Sequence, residues 1–330
     1  MNDDMKFTIK KVELNIKYFL LPILISIIGI ILDFKLPDVK GNINSAEPLT
    51  FFRFLLMFFT IIFVLCTLIS IKSLDFMYKY KEKLPFYSVI IILLIVYNLL
   101  TKKSGILPII YFPSIDMILT ALYNDREILL KCTLYSLRLL TLGVFFGGTI
   151  GFITGVIIGW NEKAFYWVFP FVRFIGPIPT TIWIPISMIL FPSLLSAAVF
   201  IVGLSMWFPV TFLTSSGIQN IDKSLFEAGE TLGADVKYQI LHIAIPAALP
   251  EIFIGFFSGM IASLISLISA ELIGAKFGLG WFINWQQQVL AYDHVYAGFI
   301  LIAFICFILF KIIFKIKSKL LIWKKDTVRW

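Results

Sequence analysis

Side chains able to do chemistry are few in this 330-residue chain, and they do not gather. Cys66, Cys132 and Cys306 are scattered, two of them inside apolar runs. They give neither a metal-ligand spacing nor a disulfide framework and read as small packing residues. No G-x4-G-K-[ST] phosphate loop occurs, so the chain itself is not expected to bind or hydrolyse ATP. A membrane-embedded enzyme would need His, Asp or Cys collected at one depth, which the sequence lacks; the chain is expected not to be an enzyme.

Three polar features remain. Glu271 closes an apolar run, and an ionisable group at membrane depth is a functional candidate by default. It could instead hydrogen-bond the turn at Gly274. Asp293 and His294 stand at the start of the last apolar run and read as interfacial. The third feature is Glu227 to Pro246, EAGETLGADVKYQILHIAIP, a polar loop between regions 174–221 and 252–270, both free of Asp, Glu, Lys and Arg. Ser224 followed by Glu227 suggests a capping box and a helix start near Leu225. Leu225, Ala228 and Leu232 then recur at helical spacing, and Gly233 can end that helix in the left-handed conformation. A second helix, Asp235 to Ile245, is expected to stop at Pro246. Such an elbow either seats in a groove on another protein or is an ordinary structured loop; His242 lies within it.

The elements that must carry these residues are set by composition. Hydrophobic residues are 59% of the chain, charged residues 15%, and mean hydropathy is +0.94. A soluble domain cannot hide that much apolar surface. With about 20 residues needed per span, eight candidate spans appear: Tyr18–Leu32, Phe54–Ile71, Leu84–Leu100, Leu139–Gly159, Phe165–Phe191, Leu194–Gly217, Glu251–Ala270 and Val295–Phe310. The expected fold is an all-α polytopic membrane protein. The Tyr18–Leu32 stretch lacks a small-x-small cleavage site and reads as an uncleaved span. Placing both termini in the cytoplasm puts 19 of the 28 Lys and Arg residues on the inner side and 9 on the outer. That topology explains the net charge of +8 and leaves nothing to support a nucleic-acid partner.

Residues 1–83 form a two-span hairpin ending in the charged connector Lys72–Lys83, and residues 84–330 form a six-span unit. An outer segment carries a helix from Ser114, its N-cap, to Leu130. Within the six-span unit Gly143, Gly147, Gly151, Gly155 and Gly159 recur every fourth residue, spacing that lets backbones approach closely in lipid. A four-residue step drifts by ~40° per repeat, so the stripe can serve more than one neighbouring helix. The next run opens with Arg173, which can snorkel, and contains Pro177, Pro179, Trp183 and Pro185. Broken helices persist at membrane depth only against protein or a water-filled path, so Pro177, Pro179 and Trp183, with Glu271, are pathway candidates.

The residues also resemble a family. Glu227-Ala228-Gly229, three residues, Gly233, nine residues, Ile243-x-Ile245-Pro246 is similar to the EAA loop of ABC importer permeases, E-A-A-x3-G-x9-I-x-L-P. Gly229 replaces the second alanine and Ile245 the leucine, and the spacing holds without a gap. Pro246 to Ile252, Ala270 to Ala275, Gly278-Leu279-Gly280, Phe112-Pro113-Ser114 and the Pro179…Pro185 run resemble the nitrate/sulfonate/taurine-type permeases, over about residues 86–316. The resemblance implies a six-span permease core whose 218–250 loop docks on a separate ATPase subunit. Glu227, Ala228, Gly229, Gly233, Ile243, Ile245 and Pro246 would form that coupling elbow, within 224–246. It implies a second permease copy, as a homodimer or a close paralogue, an extracytoplasmic solute-binding protein, and ATP bound by the partner. The solutes would be small anions or small heterocyclic, thiamine-precursor-like compounds, carried across the cell membrane. The hairpin 1–83 departs from the six-span pattern and inherits no role; a lipid-facing accessory is its simplest reading, with partner recruitment and insertion control as alternatives. A competing class, an ATP-independent secondary carrier, would show mid-span carboxylates.

Overall fold

The computed structural model of the protein describes residues 3–39, 50–72, 74–272 and 276–320. Among the described residues there are helices and turns and no strand. Six helices are long and apolar enough to cross a membrane, and a bent pair would make a seventh span. The chain divides into two compact units, residues 1–126 with 286–297, and residues 127–285 with 298–330.

The first unit begins with α1 (Asp3–Lys35), α2 (Phe51–Lys72) and α3 (Leu74–Asn98). The segment 74–83, expected as part of a connector, is the opening of α3. Phe19, Ile23, Phe52, Leu56, Leu84, Ile91 and Ile95 form the shared core of these helices. The approach of α1 to α3 is close: a Cβ on Gly29 would lie 2.5 Å from Ile95 Cδ1. After α3 the helix widens into a π-turn, Leu99–Lys103. Then α4 (Ile115–Asn124) starts at Ser114, whose Oγ accepts from the Met117 N–H at 3.4 Å. The expected helix to Leu130 is interrupted: Asp125 leaves helical geometry and α5 (Arg126–Trp160) begins at the next residue.

The second unit is organised around α8 (Leu194–Gln219), which packs most extensively on α11 (Ile245–Glu271). On its other side α8 meets the glycine stripe of α5. A Cβ on Gly143 would lie 2.6 Å from Val202 Cβ, and one on Gly147 would sit 2.7 Å from Gly203 Cα. Those on Gly151, Gly155 and Gly159 would meet Trp207 and Val210, Thr211 and Thr214, and Ser215 and Ile218. All five glycines therefore serve one neighbour, contrary to the drift expected of a straight helix. The contact positions on α8 also advance by about four residues, so the two four-residue rows follow each other. Ridge-to-groove packing of this kind brings the backbones together over four turns.

The run expected as one span from Phe165 to Phe191 is two pieces. Asn161 caps α6 (Glu162–Ile175), its Oδ1 accepting from Lys163 N–H at 2.9 Å and Ala164 N–H at 3.1 Å. A 3-10 turn (Thr180–Trp183) then leads into α7 (Ile184–Leu190), and the two halves are bent by 96°. Pro177 and Pro179 cannot donate the N–H groups that would carry α6 onward, which is why the break falls there. Two shorter helices, α9 (Lys223–Thr231) and α10 (Val236–Tyr238), lie between α8 and α11. The last two helices are α12 (Leu279–Gln288) and α13 (Tyr292–Leu320).

Candidate functional site

The elbow between α8 and α11 starts two residues before the expected point. Asp222, not Ser224, is the N-cap, its Oδ1 accepting from the Ser224 N–H at 3.0 Å. A carboxylate both accepts this bond and faces the positive end of α9, so it wins over a hydroxyl. The Ser224 backbone N–H holds the Asp222 carboxyl below its usual range. Glu227 and Ala228 are exposed on α9, whereas Gly229 is buried, where a Cβ would lie 2.8 Å from Ile243 Cδ1. The smaller residue at the second alanine position thus lets Ile243 close onto α9. Gly233, at φ +82°, ends the helix: its N–H donates to Glu230 O and the Ala234 N–H to Gly229 O, each at 2.9 Å. This is a Schellman closure, and a β-carbon is disfavoured at that φ.

The expected stop at Pro246 does not occur. Asp235 caps α10 through the Tyr238 N–H at 2.8 Å, a π-turn follows over Gln239–Ala244, and α11 runs on through Pro246. The wider turn moves the Ile245 N–H to Ile240 O, and Pro246, having no N–H, sits where α11 begins and needs none. The second arm of the elbow is therefore the start of the same long helix. Phe226, Ile221 and Ile245 anchor it to Ile218, Ala244 and Ala248, and Phe226 meets Trp160 edge-on at 5.4 Å. The opposite side is bare: Leu232 is 88% exposed, and Leu225, Val236, Tyr238 and Leu241 are exposed with it. An open groove of about 490 Å³ runs between α9 and the turn, lined by Leu225, Ala228, Gly233, Tyr238 and Ile243. His242 stacks on Tyr238 with ring centroids 4.3 Å apart.

The pathway candidates fall into two places. Pro177 and Pro179 are exposed in the break, and Trp183 is half-buried beside it. The break is tied to its neighbours by hydroxyl groups: Thr180 Oγ1 bonds Ser266 Oγ at 2.7 Å, and Ser266 also bonds Ser205. Glu271 belongs to a different cluster. It is 1% exposed; Oε1 accepts from Ser136 Oγ at 2.5 Å and Oε2 from the Gly280 N–H at 2.7 Å. Ser136 Oγ in turn accepts from the Leu279 N–H at 2.9 Å. Gly278, at φ +147°, lies against this carboxylate, where a Cβ would be 2.6 Å from Glu271 Cδ. The clasp thus joins α5, α11 and the start of α12. Of the expected turn bond, Gly274 lies outside the described residues. Glu271→Gln keeps an acceptor for Ser136 but leaves the Gly280 N–H unpaired, at a cost of about 1–3 kcal/mol. Thermal unfolding in detergent is expected to show a lowered midpoint for this variant; an unchanged midpoint would refute the clasp.

The other polar candidates are interfacial in character. His294 meets Asp293 through Nδ1 at 2.9 Å and Asp125 through Nε2 at 3.3 Å. Burial pushes the Asp125 carboxyl up, and the neighbouring His294 opposes that shift. Arg173 is exposed in the last turn of α6. Among the described residues no group of three His, Cys, Asp or Glu could hold a metal ion. Ser136, Thr180, Ser205 and Ser266 were not singled out from sequence; their only signal is a hydroxyl inside an apolar run.

The profile of the family described as "Binding-protein-dependent transport system inner membrane component" matches residues 147–322, more than half of the chain and the whole elbow. The chain belongs to this family. As the resemblance implied, the chain is an ABC importer permease. The permease is similar to the putative aliphatic sulfonates transport permease of Bacillus subtilis, at 26% identity over 63% of this chain and 77% of that one. It is also similar to the taurine transport system permease of Escherichia coli, at 28% identity over 53% and 63% of the two chains. A bicarbonate transport system permease of Synechococcus elongatus matches at 27% identity over 52% and 61%. Among solved structures, the MetNI methionine ABC transporter in inward-facing conformations matches with a TM-score of 0.53 and 20% identity. That match spans 60% of this permease and 98% of the solved chain, and it shows the fold. Permeases of this family work in the inner membrane with an ATPase and a solute-binding protein.

Proposed function

We propose that this permease imports a small solute, of the sulfonate, taurine, nitrate or thiamine-precursor-like class, driven by a separate ATPase that docks on the elbow between α8 and α11. The exposed apolar face of the elbow carries this reading. Leu232, Leu225, Val236, Tyr238 and Leu241 stand in solvent around a groove, while Phe226 and Ile245 fix the same segment to the helix bundle. A surface that is bare on one side and anchored on the other transmits displacement rather than absorbing it. Glu227, Ala228, Gly229, Gly233, Ile243, Ile245 and Pro246 are the coupling residues. Pro177, Pro179 and Trp183 sit at the bend and belong to the pathway; Glu271, in its separate cluster, contributes by holding α5 and α11 together. The glycine stripe from Gly143 to Gly159 serves helix packing.

ATP is bound by the partner and no cofactor by this chain. Two copies of the permease, with both termini and the elbow in the cytoplasm, enclose the path, and a binding protein delivers solute from outside. The positive-inside balance and the relatives named for sulfonates and taurine support this arrangement. The test is recovery of partners from native membranes in mild detergent, wild type against Glu227→Ala. An ATPase recovered with the wild type and lost with the variant is the expected result. Absence of any ATPase from the wild type would move the chain to the ATP-independent carriers. Leu232→Glu is expected to lose the ATPase too while unfolding at the wild-type temperature, since a side chain 88% exposed supports no core.

A further inference from the structure

The family match begins at residue 147, and nothing in it gives residues 1–83 a role. A lipid-facing accessory would present apolar side chains and little else. The end of the hairpin does the opposite. Three carboxylates, Asp33, Asp38 and Asp116, and three cations, Arg53, Lys102 and Lys103, form one network there, with Asn98. Asp33 is 4% exposed and Asp116 fully buried.

The bonds cross from the hairpin to α3 and α4. Asp33 on α1 takes Arg53 Nη2 at 3.1 Å from within the hairpin, and Asn98 Nδ2 at 3.1 Å from α3. Lys103 in the π-turn donates to Asp33 O at 2.7 Å, Leu36 O at 2.9 Å and Asp38 Oδ1 at 2.5 Å, all three from the hairpin side. The Val39 N–H donates to Lys102 O at 3.0 Å. Asp116 on α4 is divided: Oδ2 takes Lys102 Nζ at 2.8 Å, and Oδ1 takes the Phe52 N–H at 2.7 Å. A carboxylate from α4 thus caps the first turn of α2, 64 residues earlier.

Packing agrees with the hydrogen bonds. Ile115 of α4 is buried in the same cluster as Phe19, Phe52 and Leu56 of the hairpin, with Leu119 beside it. The other side of α4, through Ile118, Ala121 and Leu122, packs on Tyr296 and Ala297. The widened turn Leu99–Lys103 aims two successive lysines into the network.

We propose that the hairpin up to residue 72 is an obligatory brace, built into the fold, that holds α4 and the end of α3 through this ionic network, whose buried members are Asp33, Lys102 and Asp116. Remove the hairpin and Lys103 loses its three acceptors, Asn98 its carboxylate, and Asp116 the N–H it caps. Buried charges deprived of one partner are strongly destabilising, whereas a complete network fixes one arrangement. The proposal concerns the fold of the first unit and stands independently of the transport reading.

The test uses the full chain with a specific protease site inserted at residue 73, between α2 and α3, purified in mild detergent and cut. The N-terminal fragment is expected to stay with the remainder on a sizing column, also at ~1 M salt, because buried pairs are little screened. In the Asp33→Leu/Asp116→Leu variant the fragment is expected to be lost from the complex. A second measurement needs no folded variant of that kind. A Cβ on Gly105 would lie 3.7 Å from Val39 Cβ, within the range of a disulfide. Val39→Cys/Gly105→Cys, oxidised in intact membranes and then cut, should keep the two fragments joined on a non-reducing gel. A wild-type fragment that leaves the column complex overturns the brace; the cysteine pair, which must link against the left-handed φ of +64° at Gly105, supports it by linking. Retention of the fragment by the double-leucine variant at wild-type level overturns the network as its cause.

Discussion

Glu227→Ala and Gly233→Pro are each expected to abolish solute uptake while the protein still inserts into the membrane at wild-type level. The two act differently. Glu227 is exposed on α9, so its removal takes a charged side chain from the proposed docking face and leaves the fold alone. A side chain central to an interface is worth about 2 kcal/mol or more, roughly a thirtyfold loss of affinity. Gly233→Pro acts on shape. Proline holds φ near −65° and has no N–H, whereas Gly233 sits at φ +82° and donates to Glu230 O. The turn must reopen and α9 must swing away from Ile243. Gly233→Ala separates these effects, because a Cβ there meets nothing within 4 Å and only the left-handed strain of about 1–2 kcal/mol remains. Uptake should therefore fall in the order alanine then proline. Transport in proteoliposomes with the ATPase and binding protein measures all three. Wild-type uptake with Gly233→Pro would remove the elbow from the coupling mechanism.

The second large effect is expected at the α5–α8 contact. Gly147→Leu should leave little monodisperse protein in detergent, and even Gly147→Ala should lower its thermal midpoint. A Cβ at Gly147 is driven into the Gly203 carbonyl oxygen and to 2.7 Å from its Cα, so the clash is with backbone and no rotamer relieves it. Overpacking a tight core costs about 1–3 kcal/mol, and here whole helices must part. Alanine returns up to ~1 kcal/mol of helix propensity, which is too little to offset that. Gly148 supplies the control. A Cβ there would lie 3.0 Å from Phe256 Cε1 and 3.4 Å from Met206 Cε, both side-chain ends that can shift. Gly148→Ala should match or exceed the wild-type midpoint. Equal midpoints for Gly147→Ala and Gly148→Ala would mean the glycine row does not set the helix spacing.

Much of the architecture could be read from local signals because those signals act over a few residues. Ser114 caps α4 because its hydroxyl reaches the Met117 N–H three residues on. Gly233 ends α9 for an equally local reason. Local reading also failed in local ways. Ser224 and Glu227 fit a capping pattern, yet Asp222, two residues earlier, binds the Ser224 N–H and starts the helix first. Pro246 suggests a stop, although a proline in the first turn of a helix removes no bond, and the preceding π-turn makes it such a residue. The glycine row was right in spacing, but its course around α5 depends on the path of α8.

The clasp and the brace lay beyond sequence altogether. Ser136 and Glu271 are 135 residues apart, and Asp116 caps a helix 64 residues earlier. Neither pair has a local pattern, because each partner's own neighbours are ordinary for a helix end.

By itself the sequence determined that this chain lives in a membrane and roughly where most of its helices run, and the gap-free Glu227-to-Pro246 pattern resembled the loop of the permease family to which the chain belongs. The membrane character and the helices follow from hydrophobicity summed over each run and from backbone propensities, both of which act within a few turns; the permease reading came from the resemblance alone. Only the tertiary structure decided that the Phe165–Phe191 run bends by 96°, that Glu271 is a clasp, and that the N-terminal hairpin is bonded into α3 and α4. Each of these depends on which distant groups meet in an environment too dry to leave a charge or an N–H unpaired, and that meeting is fixed by packing, not by spacing along the chain.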